Sequence, residues 1–151
     1  MSPRLEDGTF DGRAPHRVHP ASGFRLWFTE PLGLLTQVGQ RTDADEAVAR
    51  FIIEAQDELD QRGAGKRFVY VHDWRRLTAY TPGARKLMTE WGLSVRARAE
   101  RIVVALAPQA MVLRMGVGVA TMALQMAGFA VQVVDDVEPT LISLGLRPAA
   151  R

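Results

Sequence analysis

The residues best suited to acid–base chemistry in this sequence are His72 and Asp73, which are adjacent. His72 is the only histidine after residue 22, so a Ser-His-Asp arrangement would have to use it. None of the four serines stands in the pattern that places a nucleophile on a sharp turn, and there is no cysteine. We therefore expect a protein that is not an enzyme. A hydrolase-type enzyme using His72 and Asp73 is kept as the third hypothesis.

Groups that could bind a metal or a cofactor are sparse. His16 and His19 lie in a stretch rich in Pro and Gly, and two ligands are fewer than a metal site needs. The acidic run 135–138 could bind a divalent cation, although such a run before a helix more commonly caps it. The Gly-Val-Gly at 116–118 lies inside a predicted helix, where it favours close helix packing over dinucleotide binding. The sequence therefore predicts neither a metal nor a cofactor.

A basic segment, residues 74–101, could bind an anion or a partner. It carries seven basic and two acidic residues, a net charge of +5, and contains a predicted helix that is capped by Thr81. The free N–H groups of a helix N-terminus favour anions, and phosphorylation of Thr81 would add about two negative charges there. The alternative is that Thr81 only caps the helix while the arginines face solvent. The predicted contact residues are Trp74, Arg75, Arg76, Tyr80, Thr81, Arg85 and Lys86.

A stripe of methionines follows at helical spacing. Met111, Met115, Met122 and Met126 are separated by four, seven and four residues, which places them on one face of a predicted helix. Such a stripe is typical of a buried core. Met-rich faces also line partner grooves or apolar pockets, because the side chain adapts to varied shapes. Both interpretations stay open at this stage.

Composition limits the class of protein. With 151 residues, 47% of them hydrophobic, the chain is long enough for one domain with a real core and too apolar for disorder. A net charge of +2 gives no argument for nucleic acid. The most apolar stretch, 111–134, is interrupted by Arg and Gln and is not expected to span a membrane. We see no targeting segment and expect a cytoplasmic location.

The elements that must position these side chains alternate between strand and helix. An opening β-hairpin at 24–38 is followed by a helix capped by Thr42 or Asp43, and then by three apolar strands near 67–73, 102–106 and 129–134, each followed by a helix. This order predicts an α/β sandwich, a mixed sheet of about five strands with helices packed on it. Residues 1–22 are predicted to be a flexible tail, 23–147 the domain and 148–151 a second tail. Trp27 points away from its apolar neighbours and needs a cover, which could be the tail, a helix or a partner.

This element order, with the stretch from Val69 to Ala84, resembles the STAS fold, the family of anti-sigma-factor antagonists and of the cytoplasmic domains of sulfate transporters. The likeness covers about residues 23–147 and is greatest to the SpoIIAA-like group, which is distantly similar to lipid-binding CRAL-TRIO domains. Asp73 matches the family's strand-end Asp, and Thr81 matches a hydroxyl position of its phosphorylation switch.

The match to the switch motif is incomplete. Gly83 matches the glycine that opens the helix, but Tyr80 and Pro82 stand where the family has an Asp and a second hydroxyl. The resemblance implies a non-catalytic regulatory module that binds a protein partner or a second copy through the edge following Asp73. The alternative that it implies is a SpoIIAA-like domain that binds a lipophilic small molecule, with the methionine stripe as the wall of the pocket.

Overall fold

The structure, a computed structural model, describes residues 4–6 and 8–151. The strands are β1 (Leu5–Glu6), β2 (Thr9–Phe10), β3 (Arg17–His19), β4 (Phe24–Glu30), β5 (Gly33–Val38), β6 (Thr42–Ala44), β7 (Phe68–Asp73), β8 (Leu77–Tyr80), β9 (Ala99–Ala105), β10 (Val131–Val134) and β11 (Arg147–Pro148). The helices are α1 (Glu46–Arg62), α2 (Pro82–Ser94), α3 (Met111–Met126) and α4 (Glu138–Leu144). Among these described residues, no helix combines the length and apolar character needed to cross a membrane.

A mixed sheet forms the centre of the fold. Its order is β10-β9-β7-β5-β4-β11, and β3 also pairs with β4, so seven strands join it within the described residues. The hairpin β4–β5 is antiparallel, whereas β5, β7, β9 and β10 run parallel. The prediction of an α/β fold with a mixed sheet is confirmed. The five predicted strands correspond to β4, β5, β7, β9 and β10, and the other two come from segments predicted to be tails or their borders.

Each face of the sheet packs on its own cluster. Tyr70 alternates along β7 with Val69 and Val71, so it faces one cluster while they face the other. The first cluster lies under α1, α2 and α3. The second contains Trp27 with Phe10 from β2 and Leu141 from α4. All six residues of β7 are buried, as its continuous apolar run predicts.

The predicted N-terminal tail is wrong for most of its length. β3 pairs with β4 in an antiparallel register, and Phe10 is fully buried with its ring edge-on to Trp27 at 6.3 Å. Trp27 is itself fully buried and donates a hydrogen bond from Nε1 to the carbonyl of Arg13 (3.1 Å). The segment therefore covers the tryptophan that needed a cover. Residues 1–3 and 7 lie outside the described residues.

The predicted C-terminal tail is also part of the fold. β11 pairs with β4, and the amide of Ala149 donates to the carbonyl of Phe28 at 2.8 Å. Ala149 is buried, and Arg62 donates to the carbonyl of Ala150 (3.0 Å). The boundary predicted at residue 147 therefore cuts through a paired strand.

Two local features differ from the sequence prediction and one agrees with it. Residues 42–44 form β6, parallel to β8, so α1 is capped by Asp45 (its carboxylate accepts from the amide of Val48) instead of Thr42 or Asp43. β8 occupies what the sequence predicted to be a loop. Thr81 caps α2, as predicted, and its hydroxyl accepts from the amide of Ala84 at 3.0 Å.

Candidate functional site

A cavity of about 130 Å³ lies between the sheet and helices α1, α2 and α3. Tyr70, His72 and Val104 of the sheet face it, and the rest of its wall is almost entirely apolar. An engineered cavity of about 150 Å³ takes up benzene, so this space suits a molecule of one small ring. A second recess, beside Arg101 and α4, has a more polar lining.

The cavity exists because small residues face the sheet from three helices. Ala49 of α1, Ala84 and Gly92 of α2, and Ala120 of α3 all line it. A methyl group added at Gly92 would come no closer than 3.6 Å to any neighbour, Leu124 being the nearest. That distance is an ordinary van der Waals contact, so a methyl group at Gly92 would fit without displacing its neighbours.

His72 is held in the cavity wall by its neighbours. It pairs in register with Thr36 of the adjacent strand β5, whose Oγ1 lies 2.7 Å from Nδ1 of His72. The indole of Trp74 stacks on the imidazole at 4.6 Å and donates from Nε1 to the same Oγ1 at 3.1 Å. Burial lowers the pKa of His72 to about 3, so the ring is neutral at pH 7.

Two aromatic side chains complete this wall. Tyr70 donates its hydroxyl to Oε1 of Gln56 (2.8 Å), and burial raises its pKa well above the ordinary value, so it stays protonated. Trp91 packs edge-on to Tyr70 at 5.2 Å. Its Nε1 is buried and finds no acceptor among the residues that the structure describes.

His72 and Asp73 do not form an acid–base pair. They are successive residues of β7, so their side chains lie on opposite faces of the sheet. Asp73 binds Arg75 through two hydrogen bonds, from Nε to Oδ1 (2.7 Å) and from Nη2 to Oδ2 (2.9 Å). The arrangement that a hydrolase of the predicted type needs is therefore absent from these two residues.

Two arginines of the predicted contact edge, Arg75 and Arg76, are held by other parts of the chain. Arg75 is held by Asp73, Asp136 and Glu138, which raise its pKa further above its ordinary value. Arg76 donates to the carbonyl of Gly39 at 2.6 Å.

The remaining residues of that edge divide between the cavity and the surface. The hydroxyl of Thr81 is occupied as the cap of α2, and Lys86 is exposed. Trp74, Tyr80 and Arg85 line the cavity, with the exposed Arg85 at its rim.

The methionine stripe neither forms core nor lines the cavity, so those two interpretations of it were wrong, whereas its interpretation as a partner surface stays a prediction. Its four members are 62% to 85% exposed. The opposite face of α3 lines the cavity, through Val117, Ala120, Thr121 and Leu124. Gly116 faces β8, because a methyl group there would collide with the hydroxyl of Tyr80. In the sequence, the signal for this cavity is the presence of small residues on three separate helices, and no single motif indicates it.

No metal site emerges from the described part of the chain, since no group of three or more His, Asp or Glu side chains there could hold an ion. Asp136 instead accepts from the amide of Glu138 at the start of α4 (3.3 Å). Comparison with protein-family models, curated proteins and solved structures found no match to this chain. The cavity and the exposed face of α3 are therefore the features of the molecule that bear on its function.

Proposed function

We propose that the protein is a binding module for a small, largely apolar molecule, which it holds in the cavity between the sheet and helices α1, α2 and α3. The observation that carries this proposal is the cavity itself, with its apolar wall and about 130 Å³ of space. A ligand that fills this space would contact the apolar wall on several sides, and binding to the folded state alone would stabilise the protein.

Binding without turnover fits the polar groups around the cavity. His72 is neutral and turned away from Asp73, and Tyr70 is protonated and engaged with Gln56. None of these groups is poised near pH 7 as a general base would be. The sequence analysis gave binding of a lipophilic small molecule as the alternative function. The wall of the cavity differs from that expectation, because the opposite face of α3 lines it in place of the methionines.

The test uses the full chain and single-ring probes such as toluene and indole. Their binding should raise the melting temperature and shift the amide resonances of cavity residues. Ala120→Leu, which adds bulk in the cavity, should abolish both effects. Ala123→Leu adds the same bulk on the exposed face of α3 and serves as the matched control. If no probe of this size binds the wild-type protein, the proposal is wrong.

A second candidate function is self-association through α3, and the exposed face of that helix favours it. Five exposed apolar residues follow one another at spacings of three, four, three and four, the repeat of a coiled-coil seam. We call this face the α3 seam; its residues are 62% to 86% exposed and comprise Val112, Met115, Val119, Met122 and Met126.

A second copy of the chain is the occupant that fits the seam. Its five apolar side chains form a continuous exposed row on one helix face, which the same row of a second copy can cover. Arg114, the single charged residue of α3, forms an ion pair with Asp135 (Nη1 to Oδ1, 3.1 Å). Two seams can therefore meet without repulsion between like charges. A membrane-surface helix would instead carry a basic polar face. The sequence analysis placed a second copy at the edge following Asp73, whereas this seam lies on α3.

Sedimentation velocity over a range of concentrations tests this second candidate. The wild-type protein should form a dimer, and Met122→Glu should remain monomeric because it places a charge in the middle of the seam. Ile142→Glu is the control, since Ile142 is an exposed apolar residue of α4, outside the seam. A wild-type protein that is monomeric at every concentration, or equal behaviour of both variants, would contradict self-association through α3.

A further inference from the structure

One nitrogen of His72 remains without a partner. Nδ1 bonds to Thr36, and among the described residues Nε2 makes no hydrogen bond. The side chain is 97% buried, being only 3% exposed, and it lines the cavity. Among the described residues, Nε1 of Trp91 is the one side-chain polar atom that is both sealed from solvent and unpaired, so Nε2 of His72 keeps some accessible surface. An unpaired nitrogen that remains accessible in a cavity wall points to a group that binds there.

The hydrogen bonds around Thr36 determine which nitrogen of His72 carries the proton. The hydroxyl oxygen of Thr36 accepts the N–H of Trp74, and its own hydrogen needs an acceptor. Thr36 is fully buried, and Nδ1 of His72 is the one acceptor that the described residues offer to this hydroxyl. Thr36 therefore donates to Nδ1. In a neutral imidazole the proton is then on Nε2, which makes Nε2–H a donor.

We propose that the ligand carries one neutral acceptor oxygen, such as the carbonyl of a ketone, ester or quinone, and that Nε2–H of His72 donates to it. This inference rests on the proposed function, because it names the chemistry of the molecule that fills the cavity. Trp91 lines the same cavity, but its unpaired indole N–H has no accessible surface and therefore offers no second donor to the ligand.

Other classes of ligand fit this wall less well. A pure hydrocarbon would fill the space but leave the buried N–H of His72 unpaired. The cationic side chain of the lining, Arg85, is exposed at the rim, so a carboxylate beside His72 would lose its hydration next to a neutral imidazole that offers no compensating charge. A single neutral oxygen satisfies the donor without burying a charge.

Cyclohexanone and methylenecyclohexane are a matched pair of probes, because they differ only in C=O against C=CH₂. Their dissociation constants are measured on the full-length wild-type protein and on His72→Phe, which keeps an aromatic ring on Trp74 but has no donor. The preference for the ketone over the hydrocarbon should fall about tenfold in the variant. The imidazole ¹⁵N shifts of the wild-type protein report the tautomer independently, should the variant fail to fold.

The outcomes separate this inference from the proposed function. If the two probes bind with the same relative affinity in both proteins, a water molecule is a sufficient partner for His72 and the inference is overturned, while the cavity remains a binding site. Detection of the proton on Nδ1 overturns it as well. If neither probe binds but toluene or indole does, the inference is overturned; if none of the four binds, the proposed function itself is wrong.

Discussion

Burial of His72 predicts that acid destabilises the protein in a defined range of pH. The pKa of His72 is lowered to about 3 in the folded protein by desolvation, whereas an unfolded histidine titrates near 6.5. Below pH 6.5 the imidazole of His72 therefore binds a proton in the unfolded chain but not in the folded protein. The contribution of His72 to stability is present above that value and is lost progressively as the pH falls towards 3.

The magnitude follows from these two values. Each pH unit inside the range changes the free energy of unfolding by about 1.4 kcal/mol, so between pH 7 and pH 4 the loss is on the order of 3 kcal/mol. That is a large fraction of the 5–15 kcal/mol that typical domains possess. Carboxylates titrate in the same range, and so the effect must be measured as a difference between two proteins.

Urea unfolding at pH 7 and pH 4, for the wild-type protein and His72→Phe, provides that difference. The free energy of unfolding of the wild-type protein should fall by about 3 kcal/mol more than that of the variant. In the folded wild-type protein, the imidazole resonances of His72 should remain those of a neutral ring down to pH 4. Parallel losses in the two proteins, or titration of His72 near pH 6, would refute the assigned burial and with it the neutral donor in the cavity.

Three further predictions concern the packing, and each is tested by thermal or urea unfolding. Gly92→Ala should stabilise α2 by about 1 kcal/mol, since its methyl group meets Leu124 at an ordinary contact distance, and a loss of stability would show that the methyl group does not fit there. Gly116→Ala should be less stable than Gly118→Ala, because both gain the same helix propensity but only the former collides with Tyr80; equal stabilities would contradict that contact. Phe10→Ala should lower the free energy of unfolding by about 3–5 kcal/mol, because Phe10 is fully buried. A change near zero would support the prediction that this segment is a flexible tail.

The parts of the fold that follow from local sequence could be predicted. The apolar run 67–73 identified the central strand, and the Thr81-Pro82 pair identified the start of α2. Gly145 ends α4 with a positive φ of 62°, a conformation that glycine adopts without strain. In each case the physical cause lies within a few residues of its effect.

Features that depend on distant residues were missed. The segment with β1–β3 has no periodicity of its own and is ordered by pairing with β4 and by covering Trp27. α3 is apolar on two faces, so its periodicity does not reveal which face meets the sheet. The candidate site was predicted only in part, for the same reason. The sequence analysis named His72 and Trp74 as candidate residues, but the cavity beside them is formed by small residues on three separate helices.

The pairing of β4 has a consequence for aggregation. One side of β4 is completed in two halves, by β3 along residues 24–26 and by β11 along residues 29–30. Both covering strands are very short, three and two residues, so that border of the sheet offers little backbone on which another chain could add a strand. A chain shortened before residue 147 would uncover the carbonyl of Phe28 and its neighbours as an open edge. Such a shortened chain is expected to aggregate by pairing of this strand edge between molecules, at a border far from the cavity.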